Sequence, residues 1–272
     1  MNEMILDMPA DEYHSSAGIS KHGLDLINRA PALYRHQKLN PVDDPTPAMR
    51  FGTLAHLMIL EPDKFRDETF LMPACDRRTK EGKELYASAM RAAGGRMVIT
   101  PEEFDQLKGM QKAICEDKAC SNALSNIKHV EASLYWVDQL DDVGCRARLD
   151  AIKENGVIVD YKTTDNASPD AFLRTVMNFR YHVQAAFYLD GLKAVTGQEG
   201  TFVLVAQEKK APYLCCVYIV GDDLVEKGRQ EYRKDLGTYK QCMTQDTWEG
   251  ISSHPLELHL PRWMNKSEPI EF

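Results

Sequence analysis

The chain has 272 residues, of which 43% are hydrophobic and 27% are charged. This balance is typical of a soluble globular protein that is long enough to bury a substantial core. Its 41 acidic residues outnumber its 33 basic residues and give a net charge of −8. This charge argues against a protein that coats nucleic acid through a generally basic surface, but not against a local basic path for phosphates.

Targeting and redox signals are weak in this sequence. It contains no run of about 18 apolar residues, and residues 1–11 mix acids with apolar residues, so we expect a cytoplasmic protein without a membrane partner. The seven cysteines form no C-x-x-C pair. We therefore expect reduced thiols and assign no metal to cysteine.

The first 128 residues are predicted to be mostly helical. Ser20 is a candidate N-cap for one helix, and Pro31 is suited to the first turn of the next. Three prolines within residues 39–49 predict an extended loop or a flexible crossing. Helical patterns resume at 50–60, 79–92 and 101–117, and the last begins with the capping pattern of Thr100, Pro101 and Glu103.

From residue 130 onward the hydrophobic period changes to two. Strands are predicted at 131–137, 144–153, 157–162, 201–207 and 213–220, and helices at 168–178, 181–196 and 222–240. This order predicts an α/β fold with a central mixed sheet flanked by helices. We expect one domain over residues 1–260, with a mainly helical part at 1–128 and a sheet-and-helix part at 129–260. A polar tail at 261–272 follows, which Trp263 could anchor.

The predicted hairpin at 144–162 carries a distinctive group of charges. Alternation places Asp150 on one face of its strand with Arg146, Arg148 and Ile152, and it places Cys145, Ala147, Leu149 and Ala151 on the other face. On the second strand Asp160 and Lys162 share a face. Whether these charges meet depends on the register of the hairpin.

Two turns are compatible with this sequence. A two-residue turn at Asn155-Gly156 would pair Asp150 with Tyr161, whereas a three-residue turn at Glu154–Gly156 would pair Asp150 with Asp160. Only the second turn brings two carboxylates and the Lys162 ammonium together. Facing carboxylates repel each other, and an oxygen-seeking cation such as Mg²⁺ or Mn²⁺ would convert that repulsion into a binding site. The alternative for the D-x-K spacing alone is an ordinary salt pair at a strand end.

Several segments resemble a known nuclease family. RARLD, IVDYKTT and YHVQAAFY, in that order, resemble the signature of RecB-like PD-(D/E)XK nucleases. FGTLAHLMILEP, DRRTKEGKE and QEYRKDLGTY further resemble RecE-type (exonuclease VIII) nuclease domains, so the resemblance covers nearly the whole chain. It implies a restriction-endonuclease-like core, and it suggests that the chain corresponds to the nuclease domain without the long amino-terminal region of RecE.

The resemblance also implies roles for particular residues. Asp150 and Asp160 would be metal ligands, Lys162 would be the catalytic lysine, and His56 would be a further ligand from a helix that it shares with Gly52, Thr53 and Leu60. The alternative for a lone helical histidine is a hydrogen-bonded core residue.

Three further groups of residues are weaker candidates. Gln184 and Tyr188 resemble a Q-x-x-x-Y motif in which the glutamine supports the active centre and the tyrosine lies near the substrate, and Tyr181 falls on the same helical face. The alternative is an aromatic packing stripe. Glu131 could assist the metal site from the neighbouring strand. Candidate DNA contacts, each of which could instead be a solvated charge, are Arg77, Arg78, Lys80 and Arg148.

Carried over as a whole, the resemblance implies a processive 5′ to 3′ exonuclease. It would digest one strand of linear double-stranded DNA and leave a 3′ tail for a RecT-like annealing partner. It also implies two Mg²⁺ ions per site, with Mn²⁺ as a substitute, and a toroidal homo-oligomer, expected as a tetramer. One ion would lower the pKa of a water and the second would stabilise the leaving 3′ oxygen. No G-x-x-x-x-G-K-[ST] or G-x-G-x-x-G motif is present, so we expect no nucleotide cofactor.

Two other functions are compatible with the same residues. One is a structure-specific DNA endonuclease on the same fold, and the other is a non-catalytic scaffold that binds DNA ends. The intact set of Asp150, Asp160 and Lys162 argues against the scaffold, because a protein that had lost its activity would be free to replace these three residues.

Overall fold

The computed structural model describes residues 2–41 and 45–260. The predicted tail at 261–272, with Trp263, lies outside the described residues, and so does part of the proline-containing crossing at 39–49.

A six-stranded mixed sheet occupies the centre of the molecule. In chain order the strands are β1 (Glu3–Ile5), β2 (Thr69–Leu71), β3 (Met97–Ile99), β4 (Ile127–Asp138), β5 (Val143–Lys153), β6 (Val157–Thr164), β7 (Thr201–Glu208) and β8 (Cys215–Ile219). The sheet order is β1-β4-β5-β6-β7-β8, and β2 pairs separately with β3. Within the large sheet β6 and β7 are parallel and the other neighbours are antiparallel.

Helices cover both faces of this sheet. They are α1 (Ala10–Ser15), α2 (Lys21–Arg29), α3 (Pro31–Leu39), α4 (Pro47–Leu60), α5 (Pro62–Glu68), α6 (Lys80–Ala93), α7 (Pro101–Glu116), α8 (Lys118–Ala123), α9 (Pro169–Asn178), α10 (Tyr181–Thr196) and α11 (Asp222–Gln245). The predicted mixed sheet flanked by helices is confirmed.

Local sequence explains where several helices begin. The side chain of Ser20 accepts a hydrogen bond from the Gly23 N–H at the start of α2. Thr100 and Glu103 form the predicted capping box at the start of α7, and proline occupies the first turn of α3, α4 and α7. Side chains that satisfy free N–H groups are readable from sequence, so these helix starts lie within a few residues of their predicted positions.

Each face of the sheet has its own apolar core. One core packs β4 to β7 against α2, α9, α10 and α11, and the other packs β5 to β7 against α4, α5, α7 and α8. Close approach of α11 to α10 needs Gly228, because a Cβ there would lie 2.1 Å from the backbone oxygen of His182. We call the first core, with α2, α9, α10 and α11, the α10 layer, and the second core, with α4, α5, α7 and α8, the α4 layer. Within the described ranges, no helix is both long and apolar enough to cross a membrane.

Three short strands were not predicted. β1, β2 and β3 have three residues each, which is too short for a recognisable alternation of apolar residues. The sequence predicted that the first long strand, β4, begins at Glu131. The strand begins at Ile127 instead, so Glu131 lies inside it.

Candidate active site

The hairpin between β5 and β6 adopts the three-residue turn. Ala151 pairs with Val159 and Ile152 pairs with Ile158, which leaves residues 154–156 in the turn. Gly156 has φ +78° and donates its N–H to the oxygen of Lys153 at 3.0 Å, so this position needs a left-handed conformation that glycine adopts without strain. In this register Asp150 falls opposite Asp160, which excludes the two-residue alternative.

The two strands separate just beyond their paired residues. The Asp150 carboxylate accepts the Tyr161 backbone N–H at 3.0 Å, in place of a strand-to-strand backbone bond. Further along β5, backbone hydrogen bonds of 2.9 Å join Ile19 to Gly144 and Arg146. The opening between β5 and β6 therefore lets polar side chains from both layers meet within the sheet.

Regular alternation along β5 fails at this opening. Leu149 and Ile152 pack in the α10 layer and Ala151 packs in the α4 layer, whereas strict alternation predicted Ala151 with Leu149 and Ile152 on the opposite face. Opposite this point on β4, Glu131 has φ +54°, a strained conformation for a residue with a side chain. A local irregularity shared by two neighbouring strands is not visible in a period-two pattern, so the predicted faces were wrong here.

Asp160 is the most buried of the candidate site residues, with no exposed surface. Its Oδ1 lies 2.6 Å from Lys162 Nζ, and its Oδ2 accepts a 2.5 Å hydrogen bond from the side-chain amide of Gln184 on α10. Gln184 is itself buried. The amide and the ammonium therefore hold the Asp160 carboxylate in one orientation without flexible surface groups.

His56 approaches the same opening from the α4 layer. Its Nε2 lies 3.3 Å from Asp150 Oδ2 and 3.4 Å from Glu131 Oε1. Gly52, one turn earlier on α4, lies beside β6, since a Cβ there would be 3.9 Å from the Thr163 hydroxyl, an ordinary van der Waals contact. The structure thus brings His56, Glu131, Asp150, Asp160 and Lys162 together.

Burial and neighbouring charges perturb the ionisation of these groups. Burial raises the pKa of Asp160, and the Asp150 charge raises it further. Burial opposes ionisation of Asp150 as well, but His56, Lys162 and the Tyr161 N–H hold the pKa of Asp150 below its usual range. Burial alone would lower the pKa of His56, yet Asp150 and Glu131 raise it to about 9. Asp150 and Asp160 therefore stabilise positively charged groups in this opening, here the imidazolium of His56 and the ammonium of Lys162.

Arg148 is engaged within the protein. Its guanidinium donates to Glu131, donates to the backbone oxygen of Met8 at 2.8 Å, and lies 5.4 Å from the Tyr13 ring centre. Only 12% of its side chain is exposed. This geometry suits a group that orients Glu131. Arg148 also lines the cleft and its Nη1 has no hydrogen-bond partner among the described residues, so the DNA contact suggested by the sequence stays a prediction.

The two tyrosine candidates have different environments. The Tyr181 ring lines the cleft above the site, stacks on Phe179 with centroids 5.8 Å apart, and lies 5.0 Å from Lys162 Nζ. Tyr188 packs in the α10 layer edge-to-face with Phe202. In the part of the chain that the structure describes, Tyr181 and not Tyr188 belongs to the cleft wall, so the expected position of Tyr188 near the substrate is not supported.

The remaining basic candidates lie away from the cleft. Arg77 stacks on Tyr86 at 4.2 Å, and Arg78 pairs with Asp76 at 2.9 Å just before α6. Lys80 opens α6 and is exposed. None of the three belongs to the cleft wall among the described residues. The structure therefore does not join them to the acidic centre.

A cleft of about 1220 Å³ opens onto the site. Glu61, which follows α4 and clusters with His56 and Glu131, was missed from the sequence. No clear signal for Glu61 was available in the sequence, because its five-residue spacing from His56 corresponds to no regular helical face. Lys209, which follows β7, also lines the cleft. The cleft wall carries more carboxylates (Asp7, Asp11, Glu61, Glu68, Glu131, Asp150, Asp165) than lysines and arginines (Lys64, Arg148, Lys162, Lys209).

The residues at the opening fit a divalent cation. His56 Nε2 and Asp160 Oδ1 are buried atoms without a hydrogen-bond partner in the described structure, although each lies near an opposite charge. Ligand atoms of His56, Glu61 and Glu131 also lie within 4.8 Å of one another. Carboxylate oxygens with one imidazole nitrogen form a donor set suited to Mg²⁺ or Mn²⁺.

Comparisons with known proteins agree with this architecture. Residues 27–254 match the family model described as PDDEXK-like domain of unknown function (DUF3799), and the chain belongs to that family. Nucleases with PDDEXK folds generally use divalent metal ions. No curated protein sequence matches the chain.

Solved structures provide a second comparison. A protein from Eubacterium rectale named "Putative exonuclease" is similar in structure, with a TM-score of 0.65 and 14% sequence identity over 97% of this chain and 99% of that one. At this identity the likeness shows the shared fold. A second solved structure has 11% identity over 77% of this chain and 84% of that one, and its TM-score of 0.29 is too low to carry an argument.

Proposed function

We propose that this protein is a divalent-metal-dependent nuclease that hydrolyses DNA phosphodiesters at the opening between β5 and β6. The observation that carries the proposal is the convergence of Asp150, Asp160, Lys162 and His56 at a break in the sheet. The fully buried Asp160 and the partly buried Asp150 are held there on facing strands, an arrangement that costs stability unless positive charge compensates it. Arrangements that cost stability in this way are typical of functional sites.

His56, Asp150 and Asp160 would hold the ion, with Glu131 and Glu61 close enough to assist. When bound, the ion would supply a lowered pKa for an attacking water and charge compensation for the phosphate. The protein contributes orientation: Gln184 holds Asp160, the Tyr161 N–H holds Asp150, and Arg148 holds Glu131. Without these contacts each carboxylate could rotate away from the opening.

Lys162 has the most direct role among the cationic groups. Burial opposes its charge, but Asp160 and Asp150 raise its pKa, so the ammonium stays protonated at neutral pH. It lines the cleft and lies 2.6 Å from Asp160. We propose that it positions the attacking water and offsets the negative charge of the scissile phosphate.

The finer activity that we propose is a 5′ to 3′ exonuclease on linear double-stranded DNA, which leaves 3′ single-stranded tails for recombination. It rests on the resemblance of FGTLAHLMILEP and QEYRKDLGTY to RecE-type domains. The size of the cleft is compatible with a polymer end, because small-molecule pockets measure roughly 300–1,000 Å³. We further propose Mg²⁺ as the ion, with two ions per site, a toroidal tetramer, and a RecT-like annealing partner.

The test compares two variants that each neutralise one buried carboxylate. Asp160→Asn should abolish Mg²⁺-dependent release of nucleotides from linear duplex DNA. Asp235→Asn is the matched control, because Asp235 is also buried but pairs with Arg180 outside the cleft. The control should retain nuclease activity even if its melting temperature falls. Near-normal activity in Asp160→Asn would refute the assignment.

The same preparation separates the alternative functions. An exonuclease degrades linear duplex and spares a covalently closed circle, whereas an endonuclease cuts both. A scaffold would bind ends without releasing nucleotides. Duplexes labelled at one 5′ or one 3′ terminus decide direction, since early release of the 5′ label indicates 5′ to 3′ digestion.

A further inference from the structure

A second group of possible metal ligands lies away from the cleft. Donor atoms of Asp117, Cys120 and Cys215 all lie within 4.8 Å of one another. None of the three belongs to the cleft wall. The sequence indicated no such site, because Cys120 and Cys215 are 95 residues apart and neither belongs to a C-x-x-C pair.

The three residues are held by rigid elements. Asp117 caps α8, and one of its carboxylate oxygens accepts the Cys120 N–H at 2.8 Å. Cys120 lies one turn into α8 and is fully buried, while Cys215 begins β8 at the edge of the sheet. The Cys215 sulfur also lies 3.9 Å from the backbone oxygen of Ala113. Side chains from a helix and a strand are thereby directed at one point.

We propose that Asp117, Cys120 and Cys215 form a structural site for a thiophilic divalent cation such as Zn²⁺. Two thiolates and one carboxylate are donors that zinc accepts in proteins, with water or a backbone oxygen in the fourth position. Two sulfurs bound tetrahedrally to one zinc lie about 3.8 Å apart, as follows from a Zn–S distance of about 2.3 Å. Donor atoms within 4.8 Å of one another therefore need only a small adjustment.

The carboxylate favours a cation over a disulfide between the same two sulfurs. A disulfide would leave Asp117 with its helix-capping role alone, whereas a cation uses all three donors and compensates their combined negative charge. Binding would release the two thiol protons to solvent. It would also connect the α4 layer to the outer edge of the sheet, since α8 packs against β7 and β8.

Co²⁺ is the probe, because tetrahedral thiolate coordination gives it characteristic visible bands and an S-to-Co²⁺ charge-transfer band. The full chain is reduced, treated with chelator and titrated with Co²⁺ without oxygen, after which Zn²⁺ is added. We expect both sets of bands to saturate near one equivalent and to disappear on adding Zn²⁺. Zn²⁺ should also raise the melting temperature, because an ion that binds only the folded state stabilises it.

Variants identify the ligands. Cys215→Ser should remove the charge-transfer band, whereas the matched control Cys115→Ser, at an exposed cysteine on α7, should keep it. Asp117→Asn keeps a helix-capping side chain but loses the charge, so it should weaken Zn²⁺ binding roughly tenfold or more while α8 stays folded. This variant tests the site even if Cys215→Ser fails to fold.

Three results of the metal titrations would overturn the proposal: reduced wild-type protein without the charge-transfer band, an unchanged band in Cys215→Ser, or unchanged Zn²⁺ affinity in Asp117→Asn. A native disulfide joining Cys120 to Cys215 would overturn it as well. Asp160→Asn should retain the full Co²⁺ signal of this site. Failure here is therefore distinguishable from failure of the nuclease assignment, which is measured on DNA.

Discussion

Ionisation of His56 gives the sharpest test of the acidic centre, because it needs neither substrate nor turnover. In metal-free protein Asp150 and Glu131 raise the pKa of His56 to about 9, against an ordinary value of 6.5. One pKa unit corresponds to about 1.4 kcal/mol, so this difference between about 9 and 6.5 amounts to at most about 3.5 kcal/mol of folding free energy.

The direction of the pH effect follows from the sign of the shift. A cationic group with a raised folded pKa stabilises the protein fully below its unfolded pKa, here about 6.5. That stabilisation is lost as the pH rises through about 9. Wild type should therefore lose more stability than His56→Gln between pH 6 and pH 10.

Urea unfolding in the presence of a chelator measures this difference. The free energy of unfolding of wild type minus that of His56→Gln should fall by up to about 3.5 kcal/mol across the range. Imidazole NMR provides the direct check, with His56 titrating near 9 in wild type and closer to 6.5 in Asp150→Asn. A difference that does not change with pH, or a wild-type His56 that titrates near 6.5, would refute the electrostatic argument.

Three further variants test the supporting contacts. Gln184→Ala removes the hydrogen bond to the buried Asp160 carboxylate, and since such bonds contribute about 1.5–3 kcal/mol, kcat should fall roughly tenfold to a hundredfold with little change in KM for DNA. Unchanged kcat would show that this bond is dispensable. Gly156→Ala should lower the melting temperature, because residue 156 has φ +78° and a Cβ there would lie 2.8 Å from a backbone oxygen. Gly144→Ala is the control and should leave the melting temperature unchanged, because a Cβ there meets nothing within 4 Å. Arg148→Gln should raise the metal concentration needed for half-maximal activity, because the Glu131 carboxylate loses the contact that orients it. A weaker salt dependence of DNA binding with an unchanged metal requirement would instead assign Arg148 to a phosphate.

Local sequence information was sufficient for most of the fold. Helix α7 could be placed from its capping box and proline, and the hairpin could be placed from its alternation and the glycine at 156. Such signals act between residues that are near each other in the chain, so one sequence contains them completely. The spacing Asp160-x-Lys162 likewise puts both charges on one face of a strand without any tertiary information.

Other features depended on which residues tertiary packing brings together. Only the chosen register decides that Asp150 lies opposite Asp160, because both turns were compatible with the same residues. The approach of α4 decides that His56 reaches Asp150, and the contact with Glu131 and Met8 decides that Arg148 is bound inside the protein.

The cysteines show the same limit most clearly. Spacing alone gave no reason to assign a metal to them, and the pairing of β7 with β8 brings Cys215 beside α8 and Cys120. Contacts between residues distant in sequence have no periodic or local signature, since they depend on how complete layers pack. The sequence of this protein therefore determined its long strands, several of its helices and the placing of Asp160 and Lys162 on one face, and the tertiary structure decided which donors share a site.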